Sequence, residues 1–129
     1  MTHKTAIIGL GIMGRRMLDN LLVHPEFEVT GLWDPSADAL AKARVIAPDA
    51  PIAETAEAAI ADADMVYLAC PPAPRKAYAL AASAAGKGVF MEKPLGVDNT
   101  ESRDLANRLK AGRLPSVVNF TQASSRGFE

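Results

Sequence analysis

Short, continuously apolar runs alternate along the chain with longer segments in which apolar residues recur at helical spacing. Continuous runs of this length are typical of strands that helices cover on both faces. The runs predict strands at Thr5–Gly9, Phe27–Trp33, around Ile52, at Met65–Cys70, at Gly88–Met91 and at Ser116–Phe120. The segments between them predict helices at Met13–Val23, Asp34–Val45, Thr55–Ala61, Pro74–Ala85 and Asn99–Ala111.

The regular alternation of strand and helix indicates βαβ units, which build a parallel sheet. We therefore predict the α/β class, with a doubly wound, mostly parallel sheet. Sheets of this kind bind their ligands at the carboxyl ends of the strands. The residues that follow each predicted strand are accordingly the first candidates for function.

Composition and charge exclude several other classes of protein. The 129 residues suit one domain, and the formal net charge of −1 argues against nucleic acid as a partner. The single cysteine rules out a disulfide framework, and with two histidines it offers no tetrahedral metal site. No apolar run of about 18 residues exists to span a membrane, and no secretory signal opens the chain. We expect a cytoplasmic protein.

The first candidate site is the glycine motif G-L-G-I-M-G, which follows the first predicted strand and opens the first predicted helix. In a dinucleotide site Gly9 allows the tight turn, Gly11 lets the backbone approach a pyrophosphate, and Gly14 lets the helix lie close to the strand. Ile12 and Met13 belong to the helix N-terminus, whose free N–H groups attract phosphate. A plain tight turn is the alternative, and the position between strand and helix favours the dinucleotide site.

The second candidate is Asp34, which ends the second predicted strand about 20 residues after Gly14. An acidic side chain there accepts hydrogen bonds from the adenosine ribose hydroxyls and repels a 2′-phosphate. No arginine follows it directly, so NAD is favoured over NADP. The alternative role is to cap the helix that opens at Pro35, and the two roles can coexist.

Two further motifs end later strands. Cys70, Pro71 and Pro72 end the strand at 65–70 and are predicted to wall the nicotinamide side of the cleft, although a rigid turn around a buried thiol explains them equally well. Glu92-Lys93-Pro94 follows the strand at 88–91. A lysine there can hydrogen-bond the substrate oxygen that becomes a carbonyl, but such a turn by itself is more often only solvated.

Taken in order, these motifs resemble the N-terminal domain of the Gfo/Idh/MocA family (glucose–fructose oxidoreductase and inositol dehydrogenase). The most specific part of the resemblance is G-K-G-V-F-M-E-K-P-L-G at 86–96, and the whole covers 1–120. It implies a Rossmann NAD(P)-binding domain of an oxidoreductase that moves hydride between the cofactor and a sugar, polyol or related hydroxyl compound. By the same resemblance Lys93 is the catalytic residue beside nicotinamide, and Glu92 and Pro94 belong to the cofactor-binding motif.

Two features depart from the family pattern. Members often carry a histidine a few residues after the strand-end proline, where this chain has Arg75. Members also have a second domain, which encloses the substrate and completes the catalytic set. We interpret 121–129 as the start of that domain, and we expect the chain alone not to turn over. Surface left uncovered by the second domain favours self-association, so we expect a homo-oligomer.

Two other functions remain open from the residues alone. The glycine motif also resembles the opening of the β-hydroxyacid dehydrogenases, although those proteins lack Glu-Lys-Pro after the corresponding strand. A second alternative is a non-catalytic module that senses the cofactor, because the family includes co-regulators that keep the dinucleotide fold without turnover. Substrate oxidation by the whole protein distinguishes an enzyme from a sensor.

Overall fold

The computed structural model describes residues 2–119, which form five strands and five helices, with one or two helices between successive strands. The strands are β1 His3–Ile8, β2 Phe27–Trp33, β3 Met65–Leu68, β4 Gly88–Glu92 and β5 Ser116–Asn119. The helices are α1 Ile12–Leu22, α2 Ala37–Ile46, α3 Ala56–Ala61, α4 Pro72–Ala84 and α5 Asn99–Ala111. The segment 121–129, interpreted from the sequence as the start of a second domain, lies outside the described residues, as does Phe120.

The strands form one parallel sheet in the order β2-β1-β3-β4-β5. The predicted α/β class with a doubly wound sheet is therefore confirmed. From β1 the chain first adds β2 on one side and then returns to add β3 on the other, so the order reverses between β1 and β3. A crevice forms outside the carboxyl ends of the strands at such a reversal.

Helices cover both faces of the sheet, which explains why the strands are apolar throughout. On one face α1 and α2 bury Leu18, Leu21 and Ala43 against the sheet. On the other face the alanine-rich helices α3 and α4 and the helix α5 pack closely, because alanine side chains keep the distance between helix and sheet short. Among the described residues no helix is long and apolar enough to cross a membrane.

The structure corrects three predicted elements. Helix α2 begins at Ala37 and not at Asp34, because Ser36 is its N-cap. The separate strand expected around Ile52 is a single bridge to Leu32, at the outer edge of β2. Pro51 precedes Ile52 and has no N–H to donate, so a longer ladder does not form. Helix α4 begins at Pro72, two residues before the predicted start, because proline is well tolerated in the first turn of a helix.

Candidate functional site

A cavity of about 800 Å³ opens at the edge of the sheet where the carboxyl ends of β1 to β4 meet. Three residues predicted for the site do not line the cavity: Ile12 and Gly14 lie in the first turn of α1, and Pro94 lies in the loop after β4. The Ile12 side chain is exposed. The other predicted residues all line the cavity, namely Gly9, Gly11, Met13, Asp34, Cys70, Pro71, Pro72, Glu92 and Lys93. The fold therefore brings together motifs that lie far apart in the sequence.

The glycine turn is held in place by close backbone contacts. Gly9 has a φ of +97°, and a Cβ on it would lie 2.4 Å from the backbone nitrogen of Cys70. A Cβ on Gly14 would lie 1.9 Å from the carbonyl oxygen of Gly9, so α1 can sit this close to the turn only with glycine there. A Cβ on Gly11 would meet no atom within 4 Å. Gly11 therefore leaves room for a ligand to approach the backbone.

The N-terminus of α1 offers a site for an anion. Gly11 is the N-cap and supplies no side-chain hydrogen bond, and the first turn contains no acidic residue. The free N–H groups and the positive end of the helix dipole thus face the cavity edge without a negative partner from the helix itself. Arg16, one turn into α1, also lines the cavity and was not predicted as a site residue. This arrangement fits a pyrophosphate.

Asp34 connects the end of β2 to the glycine turn. Its Oδ2 accepts a hydrogen bond from the Leu10 N–H at 2.7 Å, and its Oδ1 accepts one from the Ser36 N–H at 2.8 Å. The N-cap of α2 is Ser36, whose Oγ accepts from the Ala39 N–H. Asp34 is therefore not the helix cap considered as the alternative. Its carboxylate is oriented at the cavity by two backbone donors, and each oxygen retains a further lone pair.

The loop after β3 forms one wall of the cavity. Cys70 is buried, and burial raises the pKa of its thiol, which disfavours the thiolate. Pro71 is the N-cap of α4 and Pro72 its first residue. Farther along the same wall, the rings of Trp33 and Tyr78 meet edge to face, with centroids 6.0 Å apart. The wall is thus largely apolar, and the raised pKa of the Cys70 thiol argues against its acting as a nucleophile.

At the end of β4, Glu92 and Lys93 lie in different environments, and we infer different roles for them. Glu92 is buried, and its Oε1 accepts hydrogen bonds from the Tyr67 hydroxyl at 2.5 Å and from the Asn119 amide at 2.7 Å. These bonds join the ends of β3, β4 and β5. Lys93 is exposed at the cavity, and its peptide bond to Pro94 is cis. The lysine is therefore the group of this motif that is free to meet a ligand.

The Tyr67–Glu92 contact predicts how stability changes with pH. Burial, followed by the hydrogen bond to Glu92, raises the pKa of Tyr67 well above its usual 10.0. Above pH 10 the unfolded chain loses this proton and the folded chain keeps it. On this account we expect the free energy of unfolding to fall with rising pH, with a slope that is half its limit at pH 10 and approaches about 1.4 kcal/mol per pH unit above it. Urea unfolding between pH 9 and 11 measures the slope.

Tyr67→Phe should make that slope shallower, because the variant has no proton to lose at this position. Tyr78→Phe is the matched control. Burial raises the pKa of Tyr78 as well, but the residue is only half-buried and makes no hydrogen bond to a carboxylate in the described part of the chain, so the slope should change less than in Tyr67→Phe. Equal slopes for wild type and Tyr67→Phe would contradict the prediction.

Arg75 is the main residue of the site that sequence reasoning did not assign. It lines the cavity, is 2% exposed, and donates hydrogen bonds to the backbone carbonyls of Cys70, Glu92 and Pro94. Burial lowers the pKa of its guanidinium, and the nearby side chains of Cys70, Glu92 and Tyr67 oppose that shift. A signal was present in the sequence: Arg75 has helical spacing with Ala79 and Ala82, the buried residues of α4.

Comparison with known proteins agrees with this geometry. A family model described as "oxidoreductase family, NAD-binding Rossmann fold" (GFO_IDH_MocA) matches residues 3–120. An inositol 2-dehydrogenase from Cereibacter sphaeroides is 36% identical over 133 residues, covering 99% of this chain and 39% of the relative. The chain thus spans about two fifths of the length of the curated relatives it matches.

Solved structures share the same fold. Scyllo-inositol dehydrogenase from Lactobacillus casei, with bound NAD(H) and scyllo-inositol, superposes with a TM-score of 0.86 at 22% identity, covering 98% of this chain and 38% of that one. Biliverdin reductase from Synechocystis, in complex with biliverdin and NADP⁺, superposes with a TM-score of 0.85 at 21% identity, covering 93% and 38%. At these identities the likeness is evidence for the fold alone.

Proposed function

Because this chain belongs to the Gfo/Idh/MocA oxidoreductase family, with its NAD-binding Rossmann fold, we propose that it is the cofactor-binding domain of a larger polyol dehydrogenase. The family membership favours this function over a β-hydroxyacid dehydrogenase. The observation that carries the proposal is that the glycine turn, Asp34 and the Glu92–Lys93 loop line one cavity. The inositol 2-dehydrogenase relatives support an inositol or a similar polyol as the substrate.

The order of the strands supports one orientation of the dinucleotide. Asp34 ends β2, the glycine turn follows β1, and Lys93 follows β4. Three interstrand spacings separate β2 from β4, which amounts to about 14 Å along the edge of the sheet. In our proposal the adenosine ribose lies at Asp34, the pyrophosphate at Gly11 and the N-terminus of α1, and the nicotinamide between the loops that follow β3 and β4.

The proposed chemistry is hydride transfer from a substrate carbon to nicotinamide, which supplies the hydride acceptor when it is bound. Lys93 is exposed at the end of the cavity that we assign to nicotinamide. Its ammonium donates a hydrogen bond to the substrate hydroxyl oxygen and stabilises negative charge there as the carbonyl forms. A further domain of the whole protein would enclose the substrate and exclude water. The hydroxyl proton would pass to a base that this further domain supplies.

Asp34 supports NAD as the preferred cofactor, since its carboxylate accepts from ribose hydroxyls and repels a 2′-phosphate. Asp34→Asn removes the charge and keeps one oxygen for the Leu10 N–H. We expect the ratio of the NADPH to the NADH dissociation constant to fall at least about tenfold, equivalent to about 1.4 kcal/mol. Trp33 is the one tryptophan of the chain and lines the cavity, so energy transfer from Trp33 to the bound reduced cofactor reports binding.

The control for this titration is Asp38→Asn, because Asp38 is exposed on α2 and pairs only with Lys42 among the described residues. It should leave both dissociation constants unchanged. If wild type binds neither NADH nor NADPH, the proposed function is wrong. If wild type binds both with equal affinity, cofactor binding stands and the preference for NAD is wrong.

A further inference from the structure

Arg75 is a buried cation that makes no ion pair with any residue in the described part of the chain, which is unusual for arginine. Its Nη2 donates to the Cys70 carbonyl at 2.5 Å, and its Nη1 donates to the carbonyls of Glu92 and Pro94. Its Nε has no partner within residues 2–119. Carbonyl oxygens thus take the place that a carboxylate usually occupies opposite a buried guanidinium.

The three carbonyls belong to two separate loops. Cys70 lies in the loop after β3, and Glu92 and Pro94 lie at and beyond the end of β4. The last paired residues of these strands are Leu68 and Met91. Beyond that pair, no backbone hydrogen bond joins the two loops in the part of the chain that the structure describes. Arg75 is therefore the polar connection that holds the loops at a set distance.

We propose that Arg75 is a positioning residue for the nicotinamide end of the cavity. By holding the loop after β3 against the loop after β4, it sets the width of the space between Cys70 and Lys93. This inference rests on the proposed NAD-binding function, and it concerns only the end of the cavity remote from Asp34. It follows that a change at Arg75 should affect how the nicotinamide ring is held and leave the binding of adenosine and pyrophosphate nearly intact.

The chemistry of the guanidinium suits this task. Its donors lie in one plane with fixed directions, so three bonds to two loops constrain both their distance and their orientation. Bonds from a charged donor are also stronger than neutral ones, especially where water is excluded. Lysine would keep the charge but concentrate its donors on one atom, and methionine would fill similar space with no donor.

Two variants and one matched control test the proposal. Arg75→Met removes every donor, and Arg75→Lys keeps the charge in case the methionine variant does not fold. Arg44→Met is the control, because the Arg44 Nη1 also donates to two backbone carbonyls, those of Pro48 and Ala50 at 2.8 Å, on a surface away from the cavity. Dissociation constants for NADH and for ADP-ribose, which lacks nicotinamide, are measured for each protein.

For wild type we expect NADH to bind more tightly than ADP-ribose. Arg75→Met should reduce the ratio of the ADP-ribose to the NADH dissociation constant, which we call the NADH advantage, about tenfold. This is the effect of losing one or two hydrogen bonds that order the surroundings of the nicotinamide ring. Arg75→Lys should reduce it by a smaller factor, and Arg44→Met should not change it. ADP-ribose affinity should change by less than about twofold throughout. A purely structural role would instead weaken both ligands together.

A second measurement needs no ligand. In ¹H–¹⁵N spectra the amide signals of Cys70 and Lys93 should shift or broaden in Arg75→Lys and remain unchanged in Arg44→Met. An unchanged NADH advantage in both Arg75 variants would overturn the inference, and so would a wild type that binds NADH and ADP-ribose equally. If wild type binds neither ligand, it is the proposed function that fails.

Discussion

Gly9→Ala is expected to destabilise the fold by roughly 3 to 5 kcal/mol and to abolish NADH binding. Part of the cost is conformational, because alanine is strained at the φ of +97° that Gly9 adopts. The rest is steric: the new Cβ would lie 2.4 Å from the Cys70 nitrogen and 2.7 Å from the Ala69 carbonyl carbon. These are backbone atoms of the loop after β3 and cannot rotate away as a side chain could.

Gly86→Ala separates the two contributions. Gly86 closes α4 with a φ of +79°, and a Cβ on it would meet no atom within 4 Å. The substitution therefore carries the conformational cost without the overlap, and we expect it to destabilise by about 1 to 2 kcal/mol and to leave NADH binding intact. Urea unfolding and cofactor titration of both variants measure the difference. Equal destabilisation would mean that the contact with Cys70 relaxes at little cost.

Lys93→Met is expected to slow the polyol oxidation that we propose for the whole protein roughly 10²- to 10⁴-fold, the usual contribution of a positioned acid–base group. Methionine keeps the approximate length of the side chain and removes the ammonium that would donate to the substrate oxygen. Because the proposed adenosine and pyrophosphate sites lie elsewhere in the cavity, the NADH dissociation constant should change by less than about threefold. Formation of NADH from NAD and inositol, followed by absorbance, measures turnover.

Lys87→Met is the matched control for this experiment. Lys87 precedes β4 at the opposite end of the strand, and its Nζ donates to the Ala61 carbonyl at 3.2 Å on an exposed surface. It should leave turnover unchanged. Full activity in Lys93→Met would remove Lys93 from the proposed chemistry. A whole wild-type protein that binds NADH and oxidises no polyol would favour the cofactor-sensing module instead.

Much of the architecture was predictable because its signals are local. Apolar runs and helical spacing depend on a few neighbouring residues, and the boundaries of α5 at Asn99 and Ala111 agree with the predicted ones. The glycine motif was equally local, since the turn, the N-cap and the first helical residues adjoin in the chain. The strand predicted around Ile52 was wrong. An apolar residue at the edge of a sheet has the same local pattern whether it makes a single bridge or belongs to a longer strand.

The cavity and its polar connections depended on contacts that no local pattern contains. Arg75 reaches Glu92 and Pro94, and Tyr67 and Asn119 meet at Glu92, only because β3, β4 and β5 lie side by side. The sequence by itself determined the α/β alternation, the glycine turn and the acidic and basic residues that follow the strands, since hydrophobic period and turn chemistry act over a few residues. The tertiary structure alone decided which side chains are buried partners and which face the cavity, because strand order sets those distances.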